Sequence, residues 1–87
     1  MPAERLTVTV ISPERTIYEG EADIVVAPAW DGEVGILRGH APMMVLLGSG
    51  DVRIRRGDVE QRFSVSGGFL QVVDDVVTVL SERTEAA

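Results

Sequence analysis

Cysteine is absent from this 87-residue chain, and so is lysine. Without cysteine there are no disulfide staples and no thiolate metal sites, so so small a domain rests on its apolar core alone. Without lysine there is no Schiff-base chemistry and no phosphate-binding lysine of a P-loop. Aromatic residues are scarce, at 5% of the chain, which leaves little material for the ring platforms of a ligand groove. No apolar run approaches the roughly 20 residues that cross a bilayer. Met1 to Thr7 carries no signal-peptide core and no basic amphipathic leader, so a soluble, cytosol-facing domain is expected.

The charge that is present has a strong bias. The formal net charge is −6, and all eight basic residues are arginine. Such a chain repels phosphate backbones and anionic lipid surfaces, which disfavours nucleic-acid and membrane binding. Protein partners and neutral small ligands remain. Hydrophobic residues at 45% and charged residues at 25% match globular usage, and the length suits a single domain without a linker.

Valine, isoleucine and threonine dominate, and β-branched side chains favour strands. Leu6 to Val10 alternates strictly, which predicts a half-buried strand with Leu6, Val8 and Val10 inward. Ser12-Pro13 interrupts it. A second extended stretch covers Thr16 to Tyr18, and Gly20 is expected to mark a turn or bulge. Ile24 to Ala27 is an apolar run closed by Pro28, and Asp31 to Pro42 reads as a glycine-punctuated looped strand. Met43 to Leu47 follows, ended by Gly48-Ser49-Gly50. Val52 and Ile54 then pair through a turn at Arg56-Gly57-Asp58 with Val59 to Val65, a hairpin with Phe63 and Val65 inward. After Gly67-Gly68 come Phe69 to Val73, a tight turn at Asp74-Asp75, and Val76 to Leu80. The polar tail Ser81 to Ala87 is expected to fray, leaving an ordered core of about residues 5–82. No window sustains helical periodicity, so the class is all-β: a sandwich or barrel of short strands.

Three places invite a chemical reading. Gly32, Gly35 and Gly39 lack the following helix and lysine of a phosphate cradle, which leaves backbone geometry as their role. His40, the only histidine, lacks the partner of a general base and the companion ligands of a metal site. It reads as a hydrogen-bonded turn residue or a polar interface contact. The pairs Asp31/Glu33 and Asp74/Asp75 bring carboxylates together, as glycoside hydrolysis or calcium binding would need. Asp74-Asp75 suits a hairpin turn. Asp31 and Glu33 sit beside Trp30, which is either an exposed contact residue or tucked over a core edge. Of Met43 and Met44, alternation turns one outward, where a methionine suits an adaptable interface. No catalytic residues, cofactor or metal site is expected.

Gly32-Glu33-Val34-Gly35-Ile36-Leu37-Arg38-Gly39-His40-Ala41-Pro42-Met43 resembles the glycine-rich signature of the epsilon subunit of F-type ATP synthases. The opening strand Leu6 to Pro13, Tyr18-Glu19-Gly20, Ser66-Gly67-Gly68-Phe69-Leu70-Gln71-Val72 and Val77-Thr78-Val79-Leu80 resemble further motifs of that family, in order and at its spacing. The resemblance implies a flattened β-sandwich of about ten short strands, a non-catalytic rotor subunit of the central stalk. It implies two partners, the gamma subunit and the membrane c-ring, and a role in coupling proton-driven rotation to ATP synthesis. Carried over by position, Trp30, Asp31 and Glu33 would meet the c-ring, and Ser12, His40, Ala41, Pro42, Met43 and Met44 would meet gamma. It also implies a peripheral location at the cytoplasmic face of a bacterial inner membrane. Family members continue into a C-terminal helical hairpin that serves inhibition and, in some, ATP binding. This chain stops at Ala87, so a short form without the hairpin and without ATP binding is expected. A free-standing ligand-binding β-sandwich is the alternative, and a small hydrolase built on Asp31 and Glu33 a third. The former needs aromatic rings along a groove; the latter needs a deep pocket.

Overall fold

The computed structural model describes residues 5–86. Among these, ten strands and no helix form two five-stranded sheets. They are β1 (Leu6–Ile11), β2 (Thr16–Ala22), β3 (Ile24–Ala29), β4 (Gly32–Leu37), β5 (Met43–Leu46), β6 (Ser49–Arg56), β7 (Val59–Ser66), β8 (Phe69–Val73), β9 (Val76–Leu80) and β10 (Arg83–Ala86). Sheet A runs β2-β1-β9-β8-β5 and sheet B runs β10-β7-β6-β3-β4. All pairings are antiparallel except β1 with β9. The all-β class expected from alternation is present, and of sandwich and barrel it is the ten-stranded sandwich that the resemblance implies.

The core follows strand parity. Leu6, Val8 and Val10 from β1 are fully buried, with Val77 and Val79 beside them and Leu70 and Val72 beyond. From the facing sheet come Val25, Ala27, Ile36, Val52, Ile54, Phe63 and Val65, the last two as alternation requires. Each large aliphatic side chain so buried contributes about 1.5–3 kcal/mol. Tyr18 closes one side against Phe63, with ring centroids 5.4 Å apart and tilted by 53°.

Hairpins within a sheet use short turns, and the chain changes sheets at corners. Asp74 and Asp75 both adopt left-handed φ, 49° and 63°, in the two-residue turn between paired Val73 and Val76. That is the primed turn whose twist suits a hairpin. At the β2–β3 corner, the Asp23 N–H donates to the Arg55 carbonyl (2.7 Å). Its carboxylate accepts from the Gly57 N–H (2.7 Å) and from Arg5 Nε (2.8 Å). At the β7–β8 corner, Gly68 (φ +100°) passes so close to β9 that an added Cβ would lie 2.0 Å from the Leu80 carbonyl oxygen. Only glycine fits there.

Several expectations need correction. Gly20 is no turn or bulge: it lies within β2 opposite Val8, and the irregularity falls between Val10 and Ile11. The Tyr18 ring occupies its side-chain space, with the hydroxyl 2.7 Å from where a Cβ would sit. Pro28 does not close β3, which continues to Ala29. β3 pairs with β6 only through Ile24 to Val26, so at Pro28 no amide is needed on that side. Ser49 and Gly50 begin β6 rather than end β5, and Gly50 gives room for the Pro28 ring. The tail does not fray as a whole. Arg83 to Ala86 pair with β7, and order extends past residue 82. Buried Ser81 makes that corner, its hydroxyl donating to the Arg83 carbonyl (2.7 Å) while lying within reach of the Ser66 backbone. Met1 to Glu4 of the N-terminal reading and Ala87 of the tail lie outside the described residues.

Candidate functional site

The residues singled out at Trp30 to Glu33 occupy the tip of the β3–β4 hairpin. Ala29 pairs with Gly32, leaving Trp30 and Asp31 as a two-residue turn. Trp30 is 70% exposed, which decides against a ring tucked over the core. Its backbone N–H donates to the Leu46 carbonyl (3.0 Å), so the tip is sewn to the end of β5. Asp31 and Glu33 are both exposed. Glu33 stands opposite Pro28 and is paired with Arg53, Oε2 to Nη2 at 3.4 Å. The two share an open groove of about 720 Å³ with Asp51 and Arg62, and no aromatic ring lines it. The aromatic rings that the ligand-binding alternative needs along a groove are not in it.

Charge alternates in sign across the outer face of sheet B. Arg62 Nε donates to Glu60 (2.8 Å), and Arg55 lies 3.6 Å from the same carboxylate. The Arg62 hydrogen bond holds Glu60 below the ordinary carboxylate range, and the same contact raises the Arg62 guanidinium. Exposed pairs of this kind contribute little to stability; their effect is a surface of satisfied charges.

Sheet A presents the opposite character. Met44 and Leu46 on edge strand β5 are 65% and 64% exposed. Strand register places Leu46 beside Phe69, Phe69 beside Leu80, and Leu80 beside Ile11, an apolar row across four strands. The half-buried Phe69 and Leu80 of that row border an apolar hollow of about 230 Å³ beside Pro13. Val73 and Val76 add exposed apolar surface at the other end of the β8–β9 hairpin. Of Met43 and Met44, the latter is the outward one, as alternation requires, and Met43 packs against the core.

The residues assigned by position to gamma are not gathered at one point. His40, Ala41 and Pro42 lie in the β4–β5 crossover at the start of β5. Ser12 lies in the β1–β2 turn at the far end of the same sheet, where its hydroxyl donates to the Arg15 carbonyl (3.1 Å). The outer face of sheet A stretches between them. The Trp30 N–H to Leu46 carbonyl bond brings the β3–β4 tip beside the end of β5. Sequence reasoning missed Ile11, Phe69, Val73, Val76 and Leu80. A signal was there: the outward positions of β8 and β9 are apolar except for Gln71 and Thr78.

His40 Nδ1 lies 2.8 Å from the Ala41 carbonyl, and the His40 backbone N–H donates to the Leu37 carbonyl (3.2 Å). Among the described residues, no group of three or more His, Asp or Glu side chains is arranged to hold a metal ion. No helix there is long and apolar enough to cross a membrane.

Two sheets, with an apolar outer face on one and a charged hairpin end beside it, make up an all-β sandwich. Residues 5–87 match the family described as ATP synthase, Delta/Epsilon chain, beta-sandwich domain, and the chain belongs to that family. It is 45% identical over 83 residues to the ATP synthase epsilon chain of Leptospira borgpetersenii, covering 95% of this chain and 65% of that one. It is 50% identical over 74 residues to the epsilon chain of Rhodopirellula baltica, covering 85% and 58% respectively. The chain thus spans less than two thirds of these relatives' length. Its fold is similar to a chain in the Euglena gracilis mitochondrial ATP synthase structure of OSCP, F1 and c-ring (TM-score 0.90, 21% identity, 99% of this chain and 56% of that one). A chain in the Tetrahymena thermophila central stalk and c-ring structure is also similar (TM-score 0.76, 18% identity, 98% and 69%).

Proposed function

We propose that this chain is a rotor subunit of an F-type ATP synthase, joining the gamma subunit of the central stalk to the c-ring. The observation that carries this reading is the outer face of sheet A. A folded domain with a core this well filled gains nothing for itself by exposing Met44, Leu46 and the Phe69–Leu80 row. An apolar sheet face flanked by Ser12 and His40 suits a long helical partner, and gamma is assigned to it. The adjoining hairpin tip, with Trp30, Asp31 and the Glu33–Arg53 pair, suits the polar loops of a ring. The relatives' names and the c-ring and central-stalk settings of the similar folds support both assignments.

In this reading the domain is a mechanical adaptor and makes or breaks no covalent bond. Torque from proton-driven rotation of the ring passes through the hairpin end, across a stiff two-sheet body, into gamma. The setting is the cytoplasmic face of a bacterial inner membrane, as a peripheral part of the F1 sector. The test is size-exclusion chromatography of the 87-residue chain with a cognate gamma subunit in moderate salt. A stable one-to-one complex is expected. Separate elution with a folded gamma would overturn the assignment.

A further inference from the structure

The β4–β5 crossover, residues 38–42, carries His40, Ala41 and Pro42 and delivers Met43 and Met44 to the edge of sheet A. Holding such a connection in one shape costs backbone entropy that exposed residues do little to offset. Its polar contacts include three at Gly39 to Ala41. Two are short-range: the His40 backbone N–H to the Leu37 carbonyl at the end of β4, and His40 Nδ1 to the Ala41 carbonyl. Short-range contacts shape a loop without holding it against sheet A. The third reaches out. The Gly39 N–H donates to Asp75 Oδ1 at 2.7 Å, across 36 positions of sequence, the length of a charge-assisted hydrogen bond.

Asp75 is itself firmly placed. It is the second residue of the β8–β9 turn, with φ 63°, and its carbonyl accepts the Thr7 N–H of β1 at 2.8 Å. One residue therefore ties the β8–β9 turn, β1 and the crossover together. We propose that Asp75 is a positioning residue for partner binding: its carboxylate sets the crossover against sheet A, so that His40 to Met44 present one conformation. This rests on the assignment of that segment to gamma. The competing role, an aspartate present only because it tolerates left-handed φ, makes no use of the carboxylate.

Two substitutions separate these roles. Asp75→Gly keeps the turn, since glycine accepts φ 63° freely, and removes the acceptor. Asp75→Asn keeps the turn and retains a neutral oxygen acceptor. The readouts are the Gly39 amide proton by NMR (chemical shift and solvent exchange) and the Kd for gamma by calorimetry. For Asp75→Gly, the expected result is a Gly39 amide moved upfield and exchanging faster. Its Kd should be about tenfold weaker, with thermal stability held. Asp75→Asn should recover most of both. A Gly39 amide and a Kd unchanged in Asp75→Gly would overturn the proposal. If the unsubstituted chain does not bind gamma, the rotor assignment fails on its own, and an unchanged Gly39 amide would still overturn the anchoring role of Asp75.

Discussion

At the residue scale, two side chains carry consequences that local pattern does not announce. Thr84 pairs with Val65 in the β10–β7 ladder, and its hydroxyl oxygen is buried without a hydrogen-bond partner. Desolvating a hydroxyl without compensation costs free energy, while valine fills the same volume and favours strands. Thr84→Val should therefore stabilise the domain by up to about 1 kcal/mol, a rise of roughly 4–8 °C in Tm. Thermal unfolding followed by circular dichroism checks it, and a lower Tm would show that the hydroxyl has a partner in solution. Asp23 is the second case. The Gly57 N–H, and then Arg5, stabilise its carboxylate, so its pKa falls below the ordinary value of 3.8. A depressed carboxylate contributes stability that is present above pH 3.8 and lost as pH falls through the folded value. The stability advantage over Asp23→Asn should thus be full at neutral pH and vanish on acidification. Denaturant titrations at a series of pH values would show it, and a gap that does not change with pH would count against the assignment. Neither was readable in sequence: the groups that hold Asp23 lie 18 and 34 positions away, and Thr84 is buried only by the pairing of β10 with β7.

At the element scale, β5 is the informative strand. It is short, lies at the edge of sheet A, and turns Met44 and Leu46 to solvent. Alternation made one exposed methionine legible, because side-chain period in a strand is two. What alternation left unread was the company it keeps: Phe69, Leu80 and Ile11 join it only once β5, β8, β9 and β1 are laid side by side. Met44→Glu should leave the isolated domain within about 0.5 kcal/mol of the unsubstituted chain, since the side chain packs against solvent. The same change should weaken binding to gamma by about tenfold or more, as a charge enters an apolar interface. Calorimetric titration and a denaturant midpoint measured side by side decide it. Unchanged affinity would move the interface elsewhere. The last strand teaches the converse. Arg83 to Ala86 look like a polar tail, yet β7 offers an open edge and the Ser81 corner directs the chain onto it.

For the whole molecule, the arrangement of surfaces matters more than any one contact. The hairpin tip with Trp30 adjoins the end of β5, so a ring below and a stalk alongside would be served by neighbouring regions of one rigid body. Glu33→Ala should therefore reduce proton-driven ATP synthesis in the reconstituted complex while the isolated domain unfolds at nearly the same temperature. Its pair with Arg53 is exposed and contributes about 0–1 kcal/mol. A large fall in Tm of the isolated domain would sink that claim. The sequence by itself determined the fold class, most strand positions, the inward set of β1 and β7, the Asp74-Asp75 turn and the family. These follow from alternation, turn chemistry and motif order, all of which operate over a few residues. Only the tertiary structure decided that Trp30 is exposed, that Ser12 and His40 stand at opposite ends of sheet A, and that Asp75 reaches Gly39. Each depends on where the chain crosses between sheets, at corners such as Gly68 and Ser81. Strand parity is local, whereas the meeting of two strands tens of residues apart is settled by how both sheets bury their inner faces together.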